Sequence, residues 1–425
     1  GAGGVVDVGG MMLMSTLDVD NGDFLDGGSN RFKGSSSAGI GNYGSITSQN
    51  GDVVLLANFL QNPGSVSASR GTVAFGAGGD ILVDQGPDGT TISVQSGGSG
   101  GAVGIDNSGT INGAAAELKA HGNVYALAIK NDGLVRASGY NFRGGKLTLS
   151  AGSSSSIMNT GTLQARTSDG RGGQINIDGG NVNLAAGIVD VSAELGRDGG
   201  RLDVKAADLT VGANTSIVAD GVKGGTVSLD ATGTANLAGT ITSRGSFGDG
   251  GNVDLAGDQV TVAATAKVDV SGLNAGQVRV GGGFQGNESD IRNSTSTNVS
   301  EGALVIADGE LGNGGRVILW SDGDTMFGGE VSARATGGIG NGGFVEVSGR
   351  NQLSYRGRVN TTAANGINGT LLLDPTDVTI GPAGGGSFTM TDQDLVSAVL
   401  SNNVVIHTSS PNSAFGDITI NAGSD

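Results

Sequence analysis

Gly199-Gly200-Arg201-Leu202-Asp203-Val204 is followed by Gly224-Gly225-Thr226-Val227-Ser228-Leu229, then by Gly250-Gly251-Asn252-Val253-Asp254-Leu255, then by Ala275-Gly276-Gln277-Val278-Arg279-Val280. The second glycine of the phrase advances from 200 to 225, 251 and 276, steps of 25, 26 and 25. A fixed period of this size marks a stacked repeat. Within one period, Leu202-Asp203-Val204, Leu209-Thr210-Val211 and Ser216-Ile217-Val218 are three apolar/polar alternations separated by short polar breaks. Alternation at every second residue puts Leu202 and Val204 on one face and Asp203 on the other, as in a strand with one buried side.

Three strands per period make a triangular coil whose inward side chains find partners only in the coils above and below. Stacking in parallel at about 4.8 Å would turn 425 residues into about 17 coils, a rod on the order of 80 Å long. Glycine belongs where the chain turns with positive φ or passes close to the next coil. The pattern predicts an all-β chain, a parallel β-helix of ~25-residue, three-strand coils.

Composition narrows the function classes. Glycine is abundant, 83 of 425 residues, but periodic, which separates it from aperiodic low complexity. Cysteine is absent, so neither a disulfide framework nor a thiolate metal site exists. A net charge of −17 without a basic block argues against nucleic acid or anionic membrane as partner. No apolar run approaches the ~20 residues of a membrane-spanning helix, so no membrane insertion is expected, and Val53-Val54-Leu55-Leu56-Ala57 reads as a buried strand. With no leading Met and no signal segment, the chain is expected to be cytosolic or to have lost a processed N-terminus.

Taken in order, Asp18, Asp20, Asp23 and Asp26 crowd around Asn21-Gly22. The glycine comes one place early for a calcium loop, which favours a solvated turn. Coils are expected from Gly44, with strands at Ser45-Ile46-Thr47, Asp52 to Leu55, Ser65 to Ala68, Gly71 to Phe75 and Asp80-Ile81-Leu82-Val83. Residues 86–117 are looser, and regular phrases resume at Gly122-Asn123-Val124-Tyr125, Gly144-Gly145-Lys146-Leu147 and Gly172-Gly173-Gln174-Ile175. Between Gly276 and Gly315 the step is 39, so a loop around 281–302 leaves the stack. Insertions in repeat proteins map to loops and often to a binding face. Its Phe284, Gln285, Asn287 and Arg292 are the candidate ligand- or receptor-binding residues. Beyond Asp374-Pro375, Thr391-Asp392-Gln393-Asp394 resembles a capping box that opens a short helix over 392–401, stopped by Asn402-Asn403, before strands resume at Val404 and Ile418. This divides the chain into 1–120, the regular repeats 121–375, and a further β module over 376–425.

A polysaccharide-cleaving β-helix would need carboxylates converging with an Arg or Lys on one face. Asp203, Asp254 and Glu346 hold one outward position in equivalent strands, yet Ser228, Arg279 and Ile318 hold it elsewhere, which favours a mixed, solvated face. Three carboxylates gathered on an Arg would support the enzyme, scattered charges the rod. His121 and His407 are the only histidines and lie far apart, so metal and Ser-His-Asp sites lack material, and direct haem ligation is disfavoured by 2 His and 4 Tyr. No phosphate loop closes on the glycine pairs. Trp320 and Phe344 read as core or stacking residues. Asn-x-Ser/Thr triplets at Asn214, Asn287, Asn293, Asn298, Asn360 and Asn368 are mostly chance matches in a chain this rich in Ser and Thr. No catalytic residue, metal or cofactor is called for.

Several phrases resemble the filamentous-haemagglutinin type of exoproteins exported by two-partner secretion (the haemagglutination-activity-domain family): Val8-Gly9-Gly10 to Ser15-Thr16-Leu17, Asn107-Ser108-Gly109-Thr110-Ile111, Val280-Gly281-Gly282-Gly283-Phe284-Gln285-Gly286, Gly343-Phe344-Val345-Glu346-Val347-Ser348-Gly349 and Gly369-Thr370-Leu371-Leu372-Leu373-Asp374-Pro375. The resemblance implies a right-handed β-helix, with 1–120 as the C-terminal part of the secretion domain, whose Asn-Pro signatures would precede residue 1. It also implies export through an outer-membrane transporter, a bacterial cell-surface or secreted location, and a role in adhesion or biofilm formation. The partners expected are that transporter and an extracellular polysaccharide or a host or bacterial surface receptor. End-to-end self-association is also expected, because an uncapped coil edge invites strand pairing. The alternatives are a β-helical polysaccharide lyase or hydrolase, and a haem- or host-protein-scavenging exoprotein.

Overall fold

The computed structural model describes residues 1–25, 28–86, 89–121, 125–141, 145–382, 389–408 and 416–421. Asp26, the leading residues Gly122-Asn123-Val124 of one phrase and Gly144 of another lie outside them. The chain is all-β apart from a few short helices, and its largest sheet is parallel. It divides into two units, residues 1–208 with 214–218, and 209–213 with 219–425.

The second unit shows the repeat most plainly. Thr226–Ala231, Asn252–Ala256, Gln277–Val280, Arg316–Ser321, Phe344–Gly349 and Thr370–Leu373 pair in parallel, one after another, as a first column. Thr234–Leu237, Gln259–Val262, Ser296–Val299, Asp324–Phe327 and Gln352–Tyr355 form a second. Thr240–Thr242, Lys267–Asp269, Leu304–Ile306, Glu330–Ser332 and Arg358–Asn360 form a third. Each period thus spends its three alternations on three columns. The inward residues Val227, Val253, Val278, Val317, Val345 and Leu371 stack through the first column and are all buried.

Close approach, not positive φ, explains the phrase glycines. A Cβ on Gly276 would lie 1.9 Å from the carbonyl oxygen of Gly251 in the preceding coil, and Gly200, Gly225, Gly251 and Gly276 all keep negative or extended φ. The capping box forms as expected: Thr391 accepts from the Asp394 backbone, the Asp394 carboxylate accepts from Thr391, and the helix Asp392–Ser401 follows. Asn403–Ile406 then pairs in parallel with Thr370–Leu373, extending the first column, while Val378–Gly381, Met390–Thr391 and Ile418–Ile420 form a small parallel sheet of their own.

In the first unit the parallel stack runs from Val5–Val8 through Ser45–Ser48 to the start of Ser65–Ala77, and on to Thr110–Ala120, Leu134–Ala137 and Thr162–Ala165. Inside it, Asn42 donates to Asn62, Asn62 to Asn107, Asn107 to Asn131 and Asn131 to Asn159, all at 2.7–2.8 Å. These amides are buried, and each satisfies the next, which is what burial of a polar group requires.

One expectation is overturned here. Asp80–Gly86 is not a coil strand: with Gly89–Ser96, Asn30–Lys33 and Asp18–Val19 it builds a four-stranded antiparallel sheet. That excursion explains why Ser65 pairs with Thr110, 45 positions on. Its Phe32, Ile81 and Ile92 pack on the outward Val54, Leu56 and Ala74. The run Val53–Ala57 is buried on both faces for that reason, and its apolar residues are continuous rather than alternating.

Candidate functional site

The long step between Gly276 and Gly315 is an insertion over 281–295. It is shorter than the expected 281–302, because Ser296–Val299 already belongs to the second column, between Gln259–Val262 and Asp324–Phe327. That strand is mostly polar and escapes a hydrophobicity reading: its inward positions are Val299 and Thr297, whose hydroxyl donates to the Trp320 carbonyl at 2.7 Å.

The insertion does not project; it lies back on the outward face of the first column. There it covers Ile318 and Trp320, both buried although their alternation points them away from the core. Phe284 meets Phe344 edge to face, centroids 5.8 Å apart, and Arg316 lies 5.6 Å over the Phe284 ring. Gly286, at φ +67°, leaves room that a Cβ would take from the Trp320 indole, only 2.8 Å away. Trp320 Nε1 donates to Asp322, and Asn293 Nδ2 bridges the Gly286 carbonyl and Asp322.

Charges fasten the insertion to the coils. Arg279, 6% exposed, donates from Nε and Nη2 to Asp254 at 2.8 and 2.9 Å, from Nη1 to Glu288 at 2.9 Å, and from Nη1 and Nη2 to Asp290 at 3.0 Å. All five guanidinium N–H groups are therefore engaged. The Asp254 bonds, foremost, hold the guanidinium protonated well above its usual range, and Arg279 in turn holds Asp290 below the usual carboxylate range. Burial pushes Glu288 up, but Arg316 at 2.7 Å and Arg279 outweigh it and keep it low.

A second cluster lies at the other end of the insertion. Glu346 is fully buried; its carboxylate accepts from the Gln285 backbone N–H at 3.1 Å. Gln285 Nε2 donates to Asp374 Oδ2 at 2.7 Å, and Asp374 Oδ1 lies 2.9 Å from His407 Nδ1. Burial lifts Glu346 to about 7, with the Asp374 charge adding to the rise and the Gln285 N–H and Ser348 opposing it. Gln285 sits at φ 52°, a left-handed conformation that costs a residue with a Cβ on the order of 1 kcal/mol. Its two carboxylate contacts hold it there.

Of the four residues expected to recognise a ligand, Phe284 and Gln285 are thus anchors. Asn287 and Arg292 are exposed, with Arg292 3.4 Å from Asp230. The equivalence of Ser228, Asp254, Arg279, Ile318 and Glu346 in one register position holds, but Glu346 is not a solvated outward carboxylate, because the insertion covers it. Asp203 belongs to the first unit and pairs with Arg201. The cluster on Arg279 does gather three carboxylates, of which only Asp254 was legible in the repeat. Among the described residues no three His, Cys, Asp or Glu side chains gather to hold a metal ion; in place of the expected turn at Asn21-Gly22 there is a short helix, Asn21–Leu25, and Asp20 accepts from the Gly22 N–H at its start. Arg279, Glu288, Trp320 and Asp374 were missed as site residues. The signal that could have found their place is the unbroken run Val317-Ile318-Leu319-Trp320, which, like Val53–Ala57, announces a strand covered on both faces.

No family model and no curated protein matches the chain. Among solved structures it aligns with the HMW1 secretion domain from Haemophilus influenzae at 22% identity and a TM-score of 0.40, covering 87% of this chain and 76% of that one. A likeness this distant leaves the reading of function to the site itself. Among the described residues no helix is long and apolar enough to cross a membrane.

Proposed function

We propose that the chain is a non-enzymatic, secreted adhesin-type protein, a right-handed parallel β-helix exported by a two-partner pathway, whose second unit carries the recognition surface. The observation that carries the non-enzymatic reading is the saturation of Arg279. The carboxylates Asp254, Glu288 and Asp290 converge on it, yet every guanidinium N–H is committed and the group is held protonated, so it has no lone pair to offer as a base. The cluster fastens a loop. Glu346, lifted toward neutrality by its burial, is sealed beneath that loop away from any substrate. The secretory and adhesive parts of the reading are supported by the phrases shared with filamentous-haemagglutinin-type exoproteins.

The test is retention of the purified protein on bacterial and host surface polysaccharides and on whole cells, with the same tubes assayed for newly released chain ends with and without calcium. Retention without release supports the proposal. Release that is lost on Asp254→Asn or Glu346→Gln would replace it with a polysaccharide lyase or hydrolase.

A further inference from the structure

A shallow groove of about 750 Å³ runs along the coil corners of the second unit, next to the insertion. One wall is a register column in which Asn252, Gln277, Arg316, Phe344 and Thr370 follow one another coil by coil. The other wall consists of turn residues, among them Asp249, Asn274, Asn341 and Asn368, with Ile367 on the rim at 72% exposure. Glycines form the floor, where the stacking already excludes side chains.

Asn274 is used at both ends, donating to Asp249 and accepting from the Asn313 N–H, but three other wall amides are half used. Asn341 Oδ1 accepts from the Ile367 N–H at 3.0 Å, Asn368 Oδ1 from Ala363 at 3.1 Å, and Gln277 Oε1 from Arg316 at 2.9 Å. Their NH₂ groups have no partner among the described residues, and Asn252 has none at either end of its amide. The carbonyl halves hold the turns and the donor halves are left over. The cationic charge is cancelled: Arg316 is neutralised by Glu288 at 2.7 Å and no lysine lines the groove, while Asp249, an acceptor for the neutral Asn274 amide, keeps its negative charge.

We infer that this groove binds an extended, uncharged polysaccharide lying across the coils, with the amide NH₂ groups donating to sugar hydroxyls and Phe344 and Ile367 packing on the apolar faces of the rings. Unpartnered amide donors, Asn252, Gln277, Asn341 and Asn368, lie at four of the five strand levels that line the groove, and neighbouring levels are ~4.8 Å apart, a spacing close to that of sugar units in an extended chain. Polyanionic glycans are selected against, since the groove offers no unpaired cation and the chain carries a net charge of −17. The inference rests on the adhesive reading above and names its ligand class and site.

The experiment measures retention and titration calorimetry of the whole chain with a neutral β-glucan and a mannan, and with alginate and a sulfated glycosaminoglycan as polyanions. Asn252→Ala and Phe344→Leu alter the groove, Met326→Ala alters an exposed position of the second column outside it, and melting curves certify the fold. The expected result is binding of a neutral glycan that weakens about tenfold in each groove variant and is unchanged in Met326→Ala. Preference for the polyanions, or neutral binding untouched by the groove variants, overturns the groove while adhesion stands. If no glycan binds but cells are still retained, the groove again falls alone; if cells are not retained either, both readings fall.

Discussion

Gln285 Nε2 donates to Asp374 Oδ2 at 2.7 Å, joining residues 89 positions apart in the chain. The same Gln285 holds Glu346 through its backbone. One strained residue therefore fixes the leading end of the insertion, as the Arg279 cluster fixes its middle. The outward face of the first column is closed by this double attachment, which leaves the neighbouring corner groove as the exposed polar surface beside it.

Arg279→Ala should free the insertion. The change leaves Asp254, Glu288 and Asp290 facing one another without the buried cation, and breaking a buried ion pair on one side costs about 3–5 kcal/mol; the exposure of Asp290 places the expected loss at the lower end. Because the coils pair through backbone, the loss is expected to be local: proteolysis should appear within 286–292 while the far-ultraviolet spectrum is retained. Arg279→Lys should restore only part of the protection, since an ammonium cannot make the paired contacts to Asp254 and Asp290.

Gly286→Val should report the same event optically. Trp320 is the sole tryptophan and lies beneath 281–286, its indole 2.8 Å from where a Cβ on Gly286 would be. A β-branched residue at φ +67° is strained as well as crowded. Red-shifted emission and faster quenching by acrylamide are expected. Unchanged emission would mean that the insertion does not cover the indole.

In the first unit, Asn131→Ala should cost about 3 kcal/mol, because it strands the Asn107 donor and the Asn159 acceptor in a dry interior. Chemical denaturation followed by circular dichroism checks this. Asn131→Leu should be no better, as it removes the same partners and adds bulk to a full core.

The sequence carries the parallel strand columns of the second unit because their information is local. The phrases at Gly200, Gly225, Gly251 and Gly276 repeat the same alternation, and three strands per period follow from counting. The capping box at Thr391 and Asp394 is likewise a short-range pattern. What escapes is whatever depends on a second layer. Asp80–Gly86 has the alternation of any coil strand, and only its pairing with Asn30–Lys33, some fifty positions earlier, makes it antiparallel. Glu346 occupies the register position of Asp254, and nothing in the period says that residues from another part of the chain lie over one and not the other. The insertion was legible as extra length, but its direction was not: Phe284 reads the same in a projecting loop as in one folded back onto Phe344.

Glu346 gives the insertion a dependence on pH whose sign follows from burial. Its carboxyl is lifted from 4.5 to about 7, so the folded state binds this proton more tightly than the unfolded chain does. The stability contributed by that proton is fully present below about pH 4.5 and is lost as the pH rises through about 7. At 1.36 kcal/mol per pH unit, the loss is on the order of 3 kcal/mol at most. The groups facing Glu346 sharpen the expectation: Asp374 adds repulsion as the acid ionises, while Arg316, Ser348 and the Gln285 N–H soften it. Glu346→Gln keeps an acceptor for the Gln285 N–H and removes the charge, so its melting temperature should stay flatter than the parent's between pH 5 and 8 and exceed it at the upper end. Trp320 emission, followed over the same range, separates release of the insertion from unfolding of the coils. A parent protein whose melting temperature rises from pH 5 to 8 in step with the glutamine variant would show that Glu346 is ionised throughout, and that Gln285 holds a carboxylate rather than an acid.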